Sequence, residues 1–122
     1  MNKYLVDTCI ILWALQGNLD KLDEFIHIIE NDKNIIFVSI ASYWEIMIKK
    51  SLGRIEINSN LATITEESGF TWLDIKLRHI DYIDKLPNLH KDPFDRLLIA
   101  QAKADNLTFL TADAKLREYI NI

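Results

Sequence analysis

Hydrophobic and polar positions along this chain alternate between two patterns. Short runs rich in branched and aromatic residues, "KYLVD" (3–7), "IIFVS" (35–39), "FTWLDI" (70–75) and "TFLTA" (108–112), read as four strands. "IIFVS" is apolar throughout, as a strand buried on both faces requires. Between the runs, apolar residues recur at helical spacing. The first run leads into a helix from Thr8 to about Gln16, and Leu22, Phe25, Ile26 and Ile29 predict another over 20–32. "SIASYWEIMIKKSLG" begins at a serine suited to an N-cap and closes at Gly53. "NSNLATITEESG" (58–69) predicts a capped helix ending in glycine, and "KLRHIDYIDKL" one that stops before Pro87. Pro93 opens a further helix in "PFDRLLIAQAKADN", and "DAKLREYI" closes the chain with a last short one. Strands alternating with helices predict an α/β fold: one domain over residues 1–122, with a mostly parallel sheet covered on both faces.

Composition narrows the class. Hydrophobic residues make up 49% and charged residues 26%, the balance of a folded globular domain. With only three glycines and two prolines, loops are short and helix content high. A net charge of −4 offers no global attraction to nucleic acid or to an anionic membrane, so RNA or DNA binding needs a local basic surface or a metal ion. The single cysteine, Cys9, excludes an intramolecular disulfide and fits a reducing compartment; in its apolar run it reads as a small buried hydrophobe. The apolar N-terminus from Tyr4 to Leu15 is interrupted by Asp7 and falls short of the roughly 20 residues of a membrane span. The expectation is a cytoplasmic protein without a membrane segment.

In open α/β sheets the ligand crevice lies beyond the C-terminal strand ends, so the acids nearest those ends matter most. Asp7 ends the first strand, where an unpaired buried carboxylate would be costly; capping the helix from Thr8 would account for it. Glu45 falls at the edge of a helix face formed by Ile40, Trp44, Met47 and Ile48, and a pair with Lys49 would account for it, at about 0.2–0.5 kcal/mol. Asp113, after the fourth strand, could be the N-cap of the last helix. In "HKDPFDR", Asp92 suits the N-cap and Asp95 the third helical position. Each acid thus has a local explanation. Together, Asp7, Glu45, Asp95 and Asp113 could project into one crevice, where their mutual repulsion would call for a cation. Oxygen ligands without a Cys or His cluster point to Mg²⁺ or Mn²⁺ rather than zinc.

The segments "LVDT", "VSIASYWEI", "DPFDRLLIAQA" and "LTADAKL" resemble the PIN domain, in the branch of VapC-type toxins, and the resemblance runs the length of the chain. It implies a metal-dependent endoribonuclease with an α/β/α sandwich fold, an RNA substrate, a homodimer and, in toxin–antitoxin pairs, a small antitoxin partner. The family's acidic site carries over to Asp7, Glu45, Asp95 and Asp113, with Asp7 and Asp95 holding the Mg²⁺ (Mn²⁺ as substitute) and Glu45 and Asp113 completing or orienting its shell. Thr111 matches a small hydroxyl before the fourth acid.

Lys49, Lys50, Arg54, Lys91 and Arg96 flank the acidic motifs and could meet phosphates, with surface solvation as the plain alternative. Trp13, Trp44 and Trp72 read as core or dimer interface, and His27, His79 and His90 show no metal-ligand spacing. Three rivals remain. A haloacid dehalogenase-type phosphatase needs an aspartate where Cys9 stands. A receiver domain needs an acidic pair after the first strand and an aspartate past the third, and Asp74 lies inside its run. A catalytically silent PIN-like binding module would not need the complete acid set.

Overall fold

The computed structural model describes residues 2–57, 60–89 and 91–119. Strands β1 (Lys3–Val6), β2 (Ile35–Ser39), β3 (Thr71–Leu73) and β4 (Thr108–Leu110) form one sheet in the order β3-β2-β1-β4. All three pairings are parallel, with Leu5 opposite both Phe37 and Phe109, so all four C-terminal ends lie at one edge. The chain steps from β1 outward to β3 and then returns to β1's other side with β4. That reversal makes the β1/β4 boundary the switch point where a crevice opens.

The helices are α1 (Thr8–Leu15), α2 (Leu19–Leu22), α3 (Ile26–Ile29), α4 (Ile40–Ser51), α5 (Leu61–Glu67), α6 (Leu77–Tyr82), α7 (Pro93–Ala104) and α8 (Ala114–Arg117). Alternation of side chains along the strands divides the core in two. Val6, Ile36, Val38 and Leu110 pack with Ile10, Ile11, Leu22, Phe25 and Leu61 on one side. Leu5, Phe37 and Phe109 pack with Leu98, Ile99, Leu116 and Tyr119 on the other. This is an all-parallel α/β/α sandwich, as expected. No described helix is long and apolar enough to cross a membrane.

Several elements differ from their predicted form. The helix expected over 20–32 is split into α2 and α3, because the Phe25 amide bonds back to Leu22 at 2.8 Å in a tight three-residue turn. Such a turn eclipses residues three apart, and Leu22 and Phe25 are both buried. The helix expected from residue 58 begins at Leu61, its cap supplied by Asn60, whose Oδ1 accepts from the Thr63 amide; residues 58 and 59 lie outside the described residues. The "KLRHIDYIDKL" helix ends at Tyr82 and continues as a 3₁₀ turn, Ile83–Lys85. The predicted strands at 70–75 and 108–112 shorten to β3 and β4.

Helix α4 also turns a different face inward. Its buried residues are Ala41, Ser42 and Ile46, while Ile40 and Trp44, expected on the apolar face, are exposed. The small Ala41 and Ser42 let the helix approach its neighbours closely, which bulky side chains in their place would prevent. Trp44 instead lies edge-on to Phe94, their ring centroids 5.1 Å apart. Trp13 and Trp72 are partly buried against the core, as expected.

A buried polar chain ties α4, α6 and α7 together. The Ser39 hydroxyl, which caps α4, donates to Gln101 Oε1 on α7; Gln101 Nε2 donates to the Asp74 carbonyl. The wholly buried His79 accepts the Lys76 amide at Nδ1, so its Nε2 donates to Asp105, which Arg78 grips through two further bonds. Arg78 and His79 together hold the Asp105 carboxyl below its ordinary value, Arg78 first. Gln101→Leu leaves the Ser39 hydroxyl without its buried acceptor. It should cost about 1–3 kcal/mol of stability, read by urea unfolding; an unchanged midpoint would contradict the role given to this chain.

Candidate active site

Asp7 follows β1 directly, and its amide donates to the Leu110 carbonyl of β4 at 2.9 Å, which fixes it at the switch point. Only 5% of the residue is exposed. The Thr111 hydroxyl donates to Asp7 Oδ2 at 2.7 Å and accepts the Asp113 amide at 3.1 Å. The direction follows from the partners, since an ionised carboxylate only accepts and an amide N–H only donates. One threonine thereby links the first acid to the fourth. Asp113 caps α8 by accepting the Lys115 amide and is otherwise exposed.

Glu45 is carried in on α4, one turn after the buried Ser42. Its Oε2 lies 3.2 Å from Lys49 Nζ, while Oε1 is buried without a hydrogen-bond partner. Such an orphaned acceptor is costly in a folded interior. Asp92 caps α7, its Oδ1 accepting the amides of Phe94 and Asp95. Helix chemistry thus sets the position of Asp95 at the third helical residue, as expected.

All four predicted acids line one crevice of about 410 Å³ at the C-terminal edge of the sheet, with Thr8, Cys9, Trp13, Lys49 and Asp92 among its other walls. Nothing local in the sequence marks Thr8, Trp13 and Asp92 as residues of this crevice. For Asp92 the N-cap pattern was visible, but its second exposure, to the crevice, was not. Cys9, expected buried, is exposed at the crevice wall. Its side chain points away from the apolar layer that its sequence neighbours Ile10 and Ile11 enter. Desolvation of the thiol and then the charge of Asp7 push its pKa up, so it is a poor thiolate donor.

Burial pushes the Asp7 carboxyl above its ordinary value. The bonds from the Thr111 hydroxyl and the Thr8 backbone oppose that shift, and the charges of Glu45 and Asp113 add to it. The donor set is therefore carboxylate oxygen, with one buried oxygen unpartnered, and its chemistry fits a hard divalent cation. The arrangement is an open crevice rather than a closed ligand shell. Among the described residues no three carboxylate, imidazole or thiol groups are gathered closely enough to hold an ion.

Of the five basic residues considered for phosphate contact, Lys50, Arg54 and Lys91 are exposed, and Lys49 is paired with Glu45. Arg96 is engaged otherwise. Its guanidinium donates to the carbonyls of Pro87 and Ile83 and to the Tyr119 hydroxyl, clamping the segment before α7. His90 lies outside the described residues.

The raised Asp7 pKa has a signed consequence. Between the ordinary and the raised value the folded state holds more protons than the unfolded one, so stability falls as pH rises through that window. In metal-free protein, Asp7→Asn should raise the unfolding temperature at neutral pH. That gain should vanish below the ordinary aspartate value. Thermal unfolding across pH checks this, and a lower unfolding temperature for the variant at neutral pH would contradict it.

Comparison with known proteins accords with this geometry. No curated protein matches in sequence. A solved structure described as VapBC2 from Rickettsia felis bound to a DNA fragment from their promoter contains a chain of the same fold, at TM-score 0.71 and 17% identity, covering 97% of this chain and 92% of that one. Residues 4–121 match the PIN domain family. With that match running nearly end to end, the chain belongs to the PIN domain family.

Proposed function

We propose that the chain is a metal-dependent endoribonuclease, cleaving RNA phosphodiester bonds with Mg²⁺ or, in its place, Mn²⁺. In this reading it is a VapC-type toxin of a type II toxin–antitoxin pair, acting in the cytoplasm. The observation that carries the reading is the crevice: four acids from four separate segments share it, one deeply buried and one with an orphaned oxygen. PIN membership supports the nuclease class, and the fold shared with a VapBC2 chain supports the toxin–antitoxin setting.

Asp7 and Asp95 would hold the ion, with Glu45 and Asp113 completing or orienting its shell. A divalent ion bound there supplies polarisation of a phosphoryl oxygen and a lowered pKa for attacking water. The protein's own groups do the rest. Thr111 locks the orientation of Asp7 through Oδ2. Glu45 Oε1, without a partner, is the acceptor open to a proton of the attacking water. Lys49 balances Glu45 here and is placed to turn to a substrate phosphate. A homodimer and an antitoxin complete the reading. The exposed Ile40 and Trp44 on α4, and Leu77 and Ile80 on α6, are apolar surface that such partners would cover.

Purified protein should cleave RNA only with a divalent cation. Losing a partner beyond the ligands already costs metal sites about 10–100-fold, so Asp7→Asn and Asp95→Asn should each lower the rate about 100-fold or more. Undiminished cleavage in both variants, or in EDTA, would refute the assignment. Mn²⁺ binding without cleavage of any RNA would favour the silent binding module.

A further inference from the structure

Thr8 and Ser42 are both buried, 3% and 0% exposed, and their hydroxyls meet at 2.8 Å. Among the described residues this is the one side-chain hydrogen bond between α1 and α4. Thr8 is the first residue of α1, directly after Asp7. Ser42 lies three residues before Glu45, on neighbouring positions of the same helix face. The bond therefore joins the turn carrying the first acid to the turn beneath the second. We propose that Thr8 and Ser42 are positioning residues of the acidic site, their shared bond setting the rotation of α4 that holds Glu45 toward Asp7. The proposal rests on the nuclease reading.

Two features single this pair out from ordinary core polarity. Thr8 lines the same crevice as Glu45 with its orphaned Oε1, while its hydroxyl is spent on Ser42 rather than on one of the acids. In addition, the adjacency of β1 and β2 already brings the starts of α1 and α4 together. The hydroxyl pair is not needed for that and fixes only the finer rotation.

The test compares wild type with Thr8→Val, Thr8→Ser, Ser42→Ala and the Thr8→Val/Ser42→Ala double variant, titrated with Mn²⁺ alone. Thermal unfolding, RNA cleavage and the ¹³C resonance of the Glu45 carboxyl in metal-free protein are followed alongside. Thr8→Val and Ser42→Ala should each weaken Mn²⁺ binding to the folded protein about tenfold and shift the Glu45 resonance. Thr8→Ser should retain both, and the double variant should lose no more than the weaker single, since both remove one bond. Wild-type affinity and an unmoved resonance in Thr8→Val, whatever its unfolding temperature, would overturn the proposal; so would additive losses. If Ser42→Ala fails to fold, Thr8→Val against Thr8→Ser decides alone. A wild type that neither binds Mn²⁺ nor cleaves RNA would remove the nuclease reading and this proposal with it. A wild type that does both while the variants match it would remove only the proposal.

Discussion

A carboxylate at the buried end of the central strand is the constraint around which this structure is arranged. Asp7 stands where β1, apolar at Leu5 and Val6, meets the crevice, and its amide is already committed to β4. Desolvation works against its charge. The chain answers with two donors, the Thr111 hydroxyl and the Thr8 backbone, and then brings Glu45 and Asp113 close enough to raise the cost again. A fold selected for stability alone would not gather like charges around a buried acid. In the proposed nuclease function a divalent cation would neutralise the gathered acids.

The supporting structure follows from this. The all-parallel order β3-β2-β1-β4 places the exits of β1 and β4 side by side, which is why Asp7 and Thr111 meet although 104 residues separate them. Helices α4 and α7 enter the same edge, their starts fixed by the Ser39 and Asp92 caps. The Ser39–Gln101–His79 chain then links the three helices from behind. Rigid elements therefore carry three of the acids: β1 leads straight into Asp7, α4 bears Glu45 and α7 bears Asp95.

Much of this was legible in the sequence because it is local. Strand runs, N-caps, the proline opening α7 and the acids at strand ends all depend on residues a few positions apart. What was not legible depends on contacts across the chain. The Ile40–Trp44 stripe looked like the inner face of α4 because a helical wheel weighs apolar size, whereas close packing chose the small Ala41 and Ser42. The break between α2 and α3 carries no glycine or proline to announce it and arises from seating both Leu22 and Phe25. For Arg96 the sequence leaves phosphate contact and surface solvation both open, and neither describes its bonds to Pro87, Ile83 and Tyr119. In "HKDPFDR" the helix logic was correct for both acids, yet Asp92 also faces the crevice, which a capping rule cannot express.

The proposed nuclease requires the acidic crevice to be a cation site. Anomalous diffraction from crystals soaked in Mn²⁺ tests it most directly. A peak is expected within ligand distance of the carboxylates of Asp7 and Asp95, with Glu45 and Asp113 alongside it, and it should be lost in Asp7→Asn. A crevice free of anomalous density at saturating Mn²⁺, or a peak held by other residues, would contradict it.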